Sequence, residues 1–453
     1  MEVTTTGWVF ILIGLACFHR PMWLTVLVVA SVTFSATAVI NVPSLPFGMQ
    51  PYHWFGLLLV LSTLVLRLPR LMRAASPLAG TNRLLYPFLA WGIVATVVTG
   101  AKGTSVAHMV HLLLGASVMG CIVANTTRLD DLMRTVRALV YGTLLASAWG
   151  IFELTCSILD IPYPDFIFNN SVGEFVSAGS ALFFFGLRRL NSVATEPSYL
   201  VRSLVPVLCL LMGLWLHQAR TRATVEWLHP MGWKVGLLVA ITLLSTSALG
   251  IVSLALAGLI PLLFARHARL AIASCYLAAA LLVLYVASTN PLLLELADEV
   301  LFGKLESGSG TDRLTSVADA YGAFLSHPIV GAGPGLVTSH DLLLKLLSNF
   351  GMVGALLFLL VLMSVTWRAL RWLRRHRDGA RSALCLGLIA ANLMLWIMDG
   401  LAGVSYQYGI FWALLGLLIS ASRAPRSFKF PKASLVKPLP ADAPGFDHHH
   451  RAQ

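Results

Sequence analysis

The chain has 453 residues, of which 57% are hydrophobic and only 11% charged, whereas a water-soluble domain carries about 25% charged residues. Water is therefore excluded as its main solvent. The formal net charge of +12 is a topology signal with some attraction to anionic lipid headgroups, and gives no ground for a nucleic-acid partner.

Apolar runs recur from Gly7 to Ser420, each about long enough to cross a hydrocarbon core of roughly 30 Å as a helix. They fall near 7–18, 22–40, 52–66, 84–99, 107–125, 138–156, 200–216, 235–248, 249–264, 270–287, 351–367, 384–398 and 405–421. This predicts an all-α fold, a polytopic membrane helical bundle of 12 or 13 transmembrane helices over residues 1–421. The first run is read as a span because Met1 to Gly7 carries Glu2 and no Lys or Arg, unlike the start of a signal peptide. Cys17, Cys121, Cys156, Cys209, Cys275 and Cys385 fall in predicted helices as small apolar residues, so no disulfide and no structural metal is expected.

Lys and Arg in short loops stay on the cytoplasmic side, and the 32 basic residues sort clearly. Twenty-five lie on one face, from Arg20 through the clusters at Arg67–Arg83, Arg128–Arg137, Arg220–Lys234, Arg266–Arg269 and Arg368–Arg381 to the C-terminal tail. Seven remain on the other: Lys102, Arg188, Arg189, Arg202, Lys304, Arg313 and Lys345.

Two connections on the non-cytoplasmic side, 157–199 and 288–350, are too long to be simple connectors, and long loops in compact proteins are functional or disordered. In the first, the apolar stretch Phe175 to Leu190 reads as an interfacial or re-entrant helix. In the second, Leu314, Val317, Ala318, Tyr321 and Leu325 recur at helical spacing over Thr311 to Ser326, and His327-Pro328 ends that helix. A turn follows at Gly331-Ala332-Gly333-Pro334-Gly335. It has neither the strand before nor the lysine after that a phosphate loop needs. Ser339 then reads as an N-cap, with His340 and Asp341 in the first turn of a helix that stops near Gly351. Residues 422–453, rich in Pro and Lys, read as a disordered cytoplasmic tail.

Ionisable groups away from the cytoplasmic loops are few: Arg188, Arg189, Glu196, Arg202, Arg313, His340 and Asp341, with Glu153 and Asp399 in or at the end of helices. Charges at membrane depth pair or line cavities. The four arginines stand against the positive-inside tendency and call for negative partners. These are either neighbouring acids (Glu174, Glu196, Glu295, Asp298, Glu299, Asp312) in structural ion pairs, or a phosphate-bearing ligand, which guanidinium forks match bidentately. His340 at a helix N-terminus sits where free N–H groups attract anions and where the dipole favours neutral imidazole, an effect that Asp341 opposes.

The run from Arg313-Leu314 through His327-Pro328-Ile329-Val330-Gly331-Ala332-Gly333 to His340 and Gly351 resembles the signature loop of the O-antigen polymerase and ligase superfamily, with Asp341 where that loop has asparagine. Arg189-Leu190-Asn191-Ser192 through Glu196-Pro197-Ser198-Tyr199 resembles the corresponding segment of polymerases that build exopolysaccharide or O-antigen chains, and residues 235–264 resemble the family's paired helices, with Ala248 where an arginine is usual. The resemblance covers roughly 180–420. It implies a helical membrane bundle with a large periplasmic loop containing short helices, in the bacterial inner membrane. The implied activity needs neither cofactor nor metal: polymerisation of oligosaccharide repeats carried on undecaprenyl pyrophosphate, alongside a flippase and a chain-length regulator. His340, Arg313 and Glu196 are then the catalytic candidates. Arg188, Arg189, Arg202, Asp341 and Tyr199 would bind substrate. The competing readings are a ligase that moves finished glycan onto lipid A core or protein, and a membrane transporter or flippase.

Overall fold

Backbone in lipid must close its hydrogen bonds within each segment, which helices do and irregular chain does not. The computed structural model describes residues 2–41, 48–100, 102–163, 183–184, 187–188, 190–221, 231–264, 308–376, 379–403 and 406–423, with side chains at 69–82, 183–188, 218–221, 260–264 and 308–311 outside the description. Among the described residues there are twelve helices: α1 (Thr5–Ala16), α2 (Pro21–Ala30), α3 (Pro51–Val98), α4 (Gly103–Asn125), α5 (Leu129–Ile158), α6 (Pro197–Thr221), α7 (Met231–Leu244), α8 (Ala248–Phe264), α9 (Gly308–Ser326), α10 (Leu342–Arg375), α11 (Ala380–Ala402) and α12 (Gly409–Ala421). Six segments (Pro51–Leu68, Gly103–Asn125, Leu129–Ile158, Pro197–His217, Leu342–Arg375 and Ala380–Ala402) are each long and apolar enough to cross a membrane, and six more apolar helices are 10–17 residues long. The protein is an all-α, multi-pass membrane protein. The expected span at 270–287 and the expected disordered tail lie outside the described residues.

Helix α3 is two helices joined across a kink at Arg67 (φ −136°, ψ 25°), with apolar segments Pro51–Leu68 and Arg83–Val98 where two spans were expected near 52–66 and 84–99. Its two halves run in opposite directions along α4. His53 stacks on His111 of α4 at 4.5 Å, and a Cβ on Gly92 would lie 2.9 Å from the Met109 sulfur. Thr63 and Arg67 instead hydrogen-bond Asn125 at the far end of α4. The end of the bundle holding Thr99, Ile158, Pro197, Leu342 and Ala402 is called the upper end. Arg67, Arg128, Arg374, Arg375 and Arg381 gather at the lower end, where Arg381 donates to the Thr127 carbonyl. The most extensive helix pairing, α6 with α11, brings backbones close at Gly213, whose Cβ would lie 2.6 Å from Gly387 Cα. Small residues serve close helix approach in membranes, where no hydrophobic drive between helices exists.

Three expectations are corrected. The second span stops at Ala30, not residue 40, and the chain continues as irregular backbone to a two-residue strand, β2 (Ile40–Asn41), antiparallel to β1 (Glu2–Val3). This segment docks on the loop before α6, with Ala36 N–H donating to Val193 O and Thr195 N–H to Ser35 Oγ. Irregular backbone is tolerated there because its polar groups find protein partners. Within the helix expected over Phe175 to Leu190, the described residues form a strand pair instead, β3 (Phe183–Phe184) against β4 (Leu187–Arg188), and residues 175–182 lie outside the described residues. Aromatic residues favour extended chain. Finally, the N-cap of α10 is Asp341, whose Oδ1 accepts from Leu344 N–H at 2.7 Å, while Ser339 Oγ accepts from Asp341 N–H at 3.2 Å. A carboxylate is the stronger acceptor at the positive end of a helix.

Helix α10 does not stop at Gly351 but breaks there, with φ 66° and ψ −176°. A helix break orphans carbonyls. The glycine turn supplies the donors: Ala332 N–H to Ser348 O (2.7 Å) and Gly333 N–H to Asn349 O (3.2 Å), with the Trp91 indole on Phe350 O (2.8 Å). Beyond the break, Met352 N–H donates to Pro328 O at 2.8 Å. A Cβ on Gly351 would collide with the Ile329 carbonyl. Gly351→Ala therefore combines left-handed strain, about 1–3 kcal/mol, with a steric clash. It should lower the thermal unfolding midpoint in detergent by several degrees. Gly322→Ala, at a helical position with nothing within 4 Å, should leave that midpoint unchanged or raise it; equal effects of the two would refute the role of the break.

Candidate functional site

The segment before α6 is held from two sides. Buried Glu153 of α5 accepts from Ser192 N–H at 2.6 Å, and Ser192 Oγ donates to Ala146 O at 2.5 Å, with Ser192 itself at φ 54°. Glu153, predicted within a helix and open to a functional role, is thus a clamp on this loop. Proline fits the first turn of a helix, and α6 starts at Pro197 with Glu196 directly before it. The Glu196 carbonyl accepts from Tyr199 and Leu200 N–H, and its carboxylate accepts from Ser198 Oγ at 3.0 Å. One turn on, Tyr199 and Arg202 share a face, with the guanidinium carbon 5.1 Å from the Tyr199 ring centroid. Tyr408, at the start of α12, packs on Tyr199 with ring centroids 4.9 Å apart.

The opposite wall is the link from α9 to α10. Asn349 pins it: its amide Nδ2 donates to the carbonyls of Val337 (2.9 Å) and Lys345 (2.8 Å), and its Oδ1 accepts from Val337 N–H (3.3 Å). Gly331, Gly333 and Gly335 all have positive φ, and a Cβ on Gly335 would strike the ring of His108 on α4. The turn is thereby wedged between α4 and α10, and it delivers an exposed His340 just ahead of the Asp341 cap.

Around His340 the charges converge. Partial burial of the ring lowers its titration below the ordinary 6.5, and the positive charges of Arg313, Lys345 and Arg202 lower it further, opposed by Glu196. Neutral imidazole is thus the dominant form at pH 7. Lys345 is in turn within electrostatic reach of Arg202 and of buried Asp399 on α11.

The structure thus brings His340, Arg313, Glu196, Arg202 and Tyr199 to one region of the upper end, with Asp341 adjoining as the helix cap. Arg188 is described only through its backbone in β4, and Arg189 lies outside the described residues. Sequence reasoning missed Lys345 and Asn349. The available signal was an Asn four residues after a Lys, interrupting an apolar run that follows a glycine turn. It also missed Thr33 and Tyr408, which line a small pocket with Val32, Ser35, Tyr199, Arg202, Ser203 and Ile410. Nothing local marks these two, because elements far apart in sequence assemble the pocket.

No protein-family model matches the chain, and no curated protein sequence matches it significantly.

If cationic crowding sets the state of His340, Arg313→Gln should move its titration upward toward 6.5, because a like charge that disfavours the imidazolium is gone. Histidine-selective isotope labelling and NMR would read the midpoint; an unchanged or lower value would show that Arg313 does not act on the ring.

Proposed function

We propose that the protein is a polysaccharide polymerase of a bacterial inner membrane, with the upper end facing the periplasm. Its substrates would be oligosaccharide repeats on undecaprenyl pyrophosphate. The orientation is supported by the arginine-rich lower end, which the positive-inside tendency assigns to the cytoplasm. The activity is supported by one observation above the rest: α6, α9 and α10 bring a neutral-leaning imidazole, His340, into the field of three cations, Arg313, Lys345 and Arg202.

That arrangement suits glycan transfer from a lipid pyrophosphate. The acceptor hydroxyl oxygen bonds the anomeric carbon of the growing chain, the bond from that carbon to the pyrophosphate oxygen breaks, and the hydroxyl proton passes to His340. A base with its titration near or below neutrality is free to accept it. The departing pyrophosphate gathers negative charge, which preorganised cations stabilise. Arg313 and Lys345 hold that place here, and Arg189 is a further candidate. Glu196 would orient the acceptor or a neighbouring cation. The similarity of the 313–351 and 189–199 segments to polymerase motifs agrees with this reading, and a flippase and a chain-length regulator would be its partners in the membrane.

Loss of the protein should leave single repeats on the carrier lipid. His340→Ala and Arg313→Ala should each cut polymer by at least 100-fold, the scale of losing a general base or a charge-stabilising donor, while the protein still reaches the membrane. Gel profiles of extracted glycan decide the matter. Full-length chains stranded on the carrier would indicate a ligase instead, absence of repeats from the periplasmic side a transporter, and normal polymer in both variants would overturn the assignment. Protonating His340 should also extinguish transfer in acid, with the acid limb midpoint below pH 6.5.

A further inference from the structure

One exposed face of α10 changes character along its length. Met352, Leu356, Met363 and Trp367 recur at helical spacing and are each more than half exposed, so they form one stripe. The segment is long and apolar enough to cross a membrane, and the stripe therefore meets lipid. Toward the lower end the stripe turns basic. Arg371 follows Trp367 by one turn, its guanidinium carbon 5.5 Å from the Trp367 ring centroid, and Arg368, Arg374 and Arg375 flank it, all exposed. The second half of α3 runs beside α10, with the Phe88 and Phe358 ring centroids 5.1 Å apart and the Trp91 indole on Phe350 O. Arg83, at the lower start of that half, thereby comes within electrostatic reach of Arg368. Neither Arg83–Val98 nor Leu342–Arg375 contains an Asp or Glu.

We infer that this face binds an anionic phospholipid, its phosphate held by Arg368, Arg371 and Arg83 and an acyl chain lying along Trp367, Met363 and Leu356. Two simpler causes explain only part of the pattern. The helix dipole attracts cations to a last turn, which covers Arg374 and Arg375 but not Arg371 and Arg368, one and two turns earlier. The positive-inside tendency asks for basic residues at this end, but not for their alignment with an exposed apolar stripe or for two arginines from different helices brought together. The order along the face is that of a phospholipid: apolar side chains at the depth of the acyl chain, an indole at the depth where tryptophan meets the headgroup region, then guanidinium forks that match phosphate oxygens. Basic residues between membrane helices on the cytoplasmic side recognise such headgroups. A free phosphate would need the arginines and make no use of the stripe. The inference is independent of the polymerase reading, since it concerns the end of the bundle opposite His340.

The test uses the purified full-length chain in detergent micelles, titrated with phosphatidylglycerol, phosphatidylcholine or inorganic pyrophosphate, with retained molecules counted by native mass spectrometry. Phosphatidylglycerol should be retained in preference to phosphatidylcholine, and excess pyrophosphate should not displace it. Arg368→Gln combined with Arg371→Gln should weaken phosphatidylglycerol about tenfold or more, the scale of one charge-assisted hydrogen bond. The single change Arg371→Gln, at an exposed side chain whose loss leaves the packing intact, should weaken it in the same direction and guards against a folding failure in the double variant. Removing two lower-end charges elsewhere, by Arg134→Gln with Arg137→Gln on α5, should leave retention unchanged. The inference is overturned if the two double variants weaken retention equally, which would make the attraction diffuse, if phosphatidylcholine is held as well as phosphatidylglycerol, or if pyrophosphate displaces the lipid, which would make the cluster a site for soluble phosphate.

Discussion

The break in α10 at Gly351 is the constraint on which the upper end depends. A helix interrupted at membrane depth must find donors for the carbonyls it abandons, and here they come from the backbone of the segment that leads to His340. Ala332 and Gly333 meet Ser348 and Asn349, and the Asn349 side chain in turn holds Val337. The same hydrogen bonds that satisfy the break therefore fix the path of the loop that carries His340. Glycine at 331, 333 and 335 is required because the chain must run in left-handed conformations against Asn349, Thr99 and His108 with no room for side chains.

The second organising feature is electrostatic. Arg202, Arg313 and Lys345 stand at the end of the bundle opposite most of the basic residues, and each adds to the field at His340. A fold does not gain stability by gathering like charges around a titrating ring; the arrangement costs free energy that a bound anion would return. Glu196 and Asp399 soften the repulsion without pairing with Arg202. Perturbed titration combined with convergence of distant elements is the signature of a functional site more often than of a structural network.

Much of this was legible in the sequence because the bilayer imposes simple rules. Hydropathy marked the helices, charge sorting marked the two ends, and the proline and glycines at 328–335 marked the turn. What stayed hidden depended on partners remote in sequence. The apolar run at 22–40 reads as a span, but from Ser31 onward its backbone pairs with the loop before α6 and with β1, contacts that no local pattern announces. Phe175 to Leu190 reads as an apolar helix by composition, yet within it Phe183–Phe184 pair with Leu187–Arg188 as strands. At the cap of α10, Ser339 and Asp341 are both good candidates, and the stronger acceptor took the position. Among the site residues, His340, Arg313, Glu196 and Arg202 stood out as ionisable groups in the wrong place for lipid. Thr33 and Tyr408 did not, since a threonine and a tyrosine in an apolar chain carry no such mark.

The two walls of the site are built differently, and this bears on how it would work. Glu196 directly precedes α6 and Tyr199 and Arg202 occupy its first turns, and α6 is locked to α11 by the close approach at Gly213 and Gly387, so the three sit on a rigid element. His340 instead ends a loop whose hold on the bundle is a short set of hydrogen bonds to the residues just above the break. Arg313 lies one helix away on α9, whose exposed face carries Leu314, Tyr321 and Leu325. A fixed platform facing a pinned loop keeps His340 within a narrow range of positions relative to Tyr199 and Arg202. Positioning of this kind contributes to rate through orientation. The loop's few anchors, Asn349 foremost, are therefore as much part of the site as the imidazole they place.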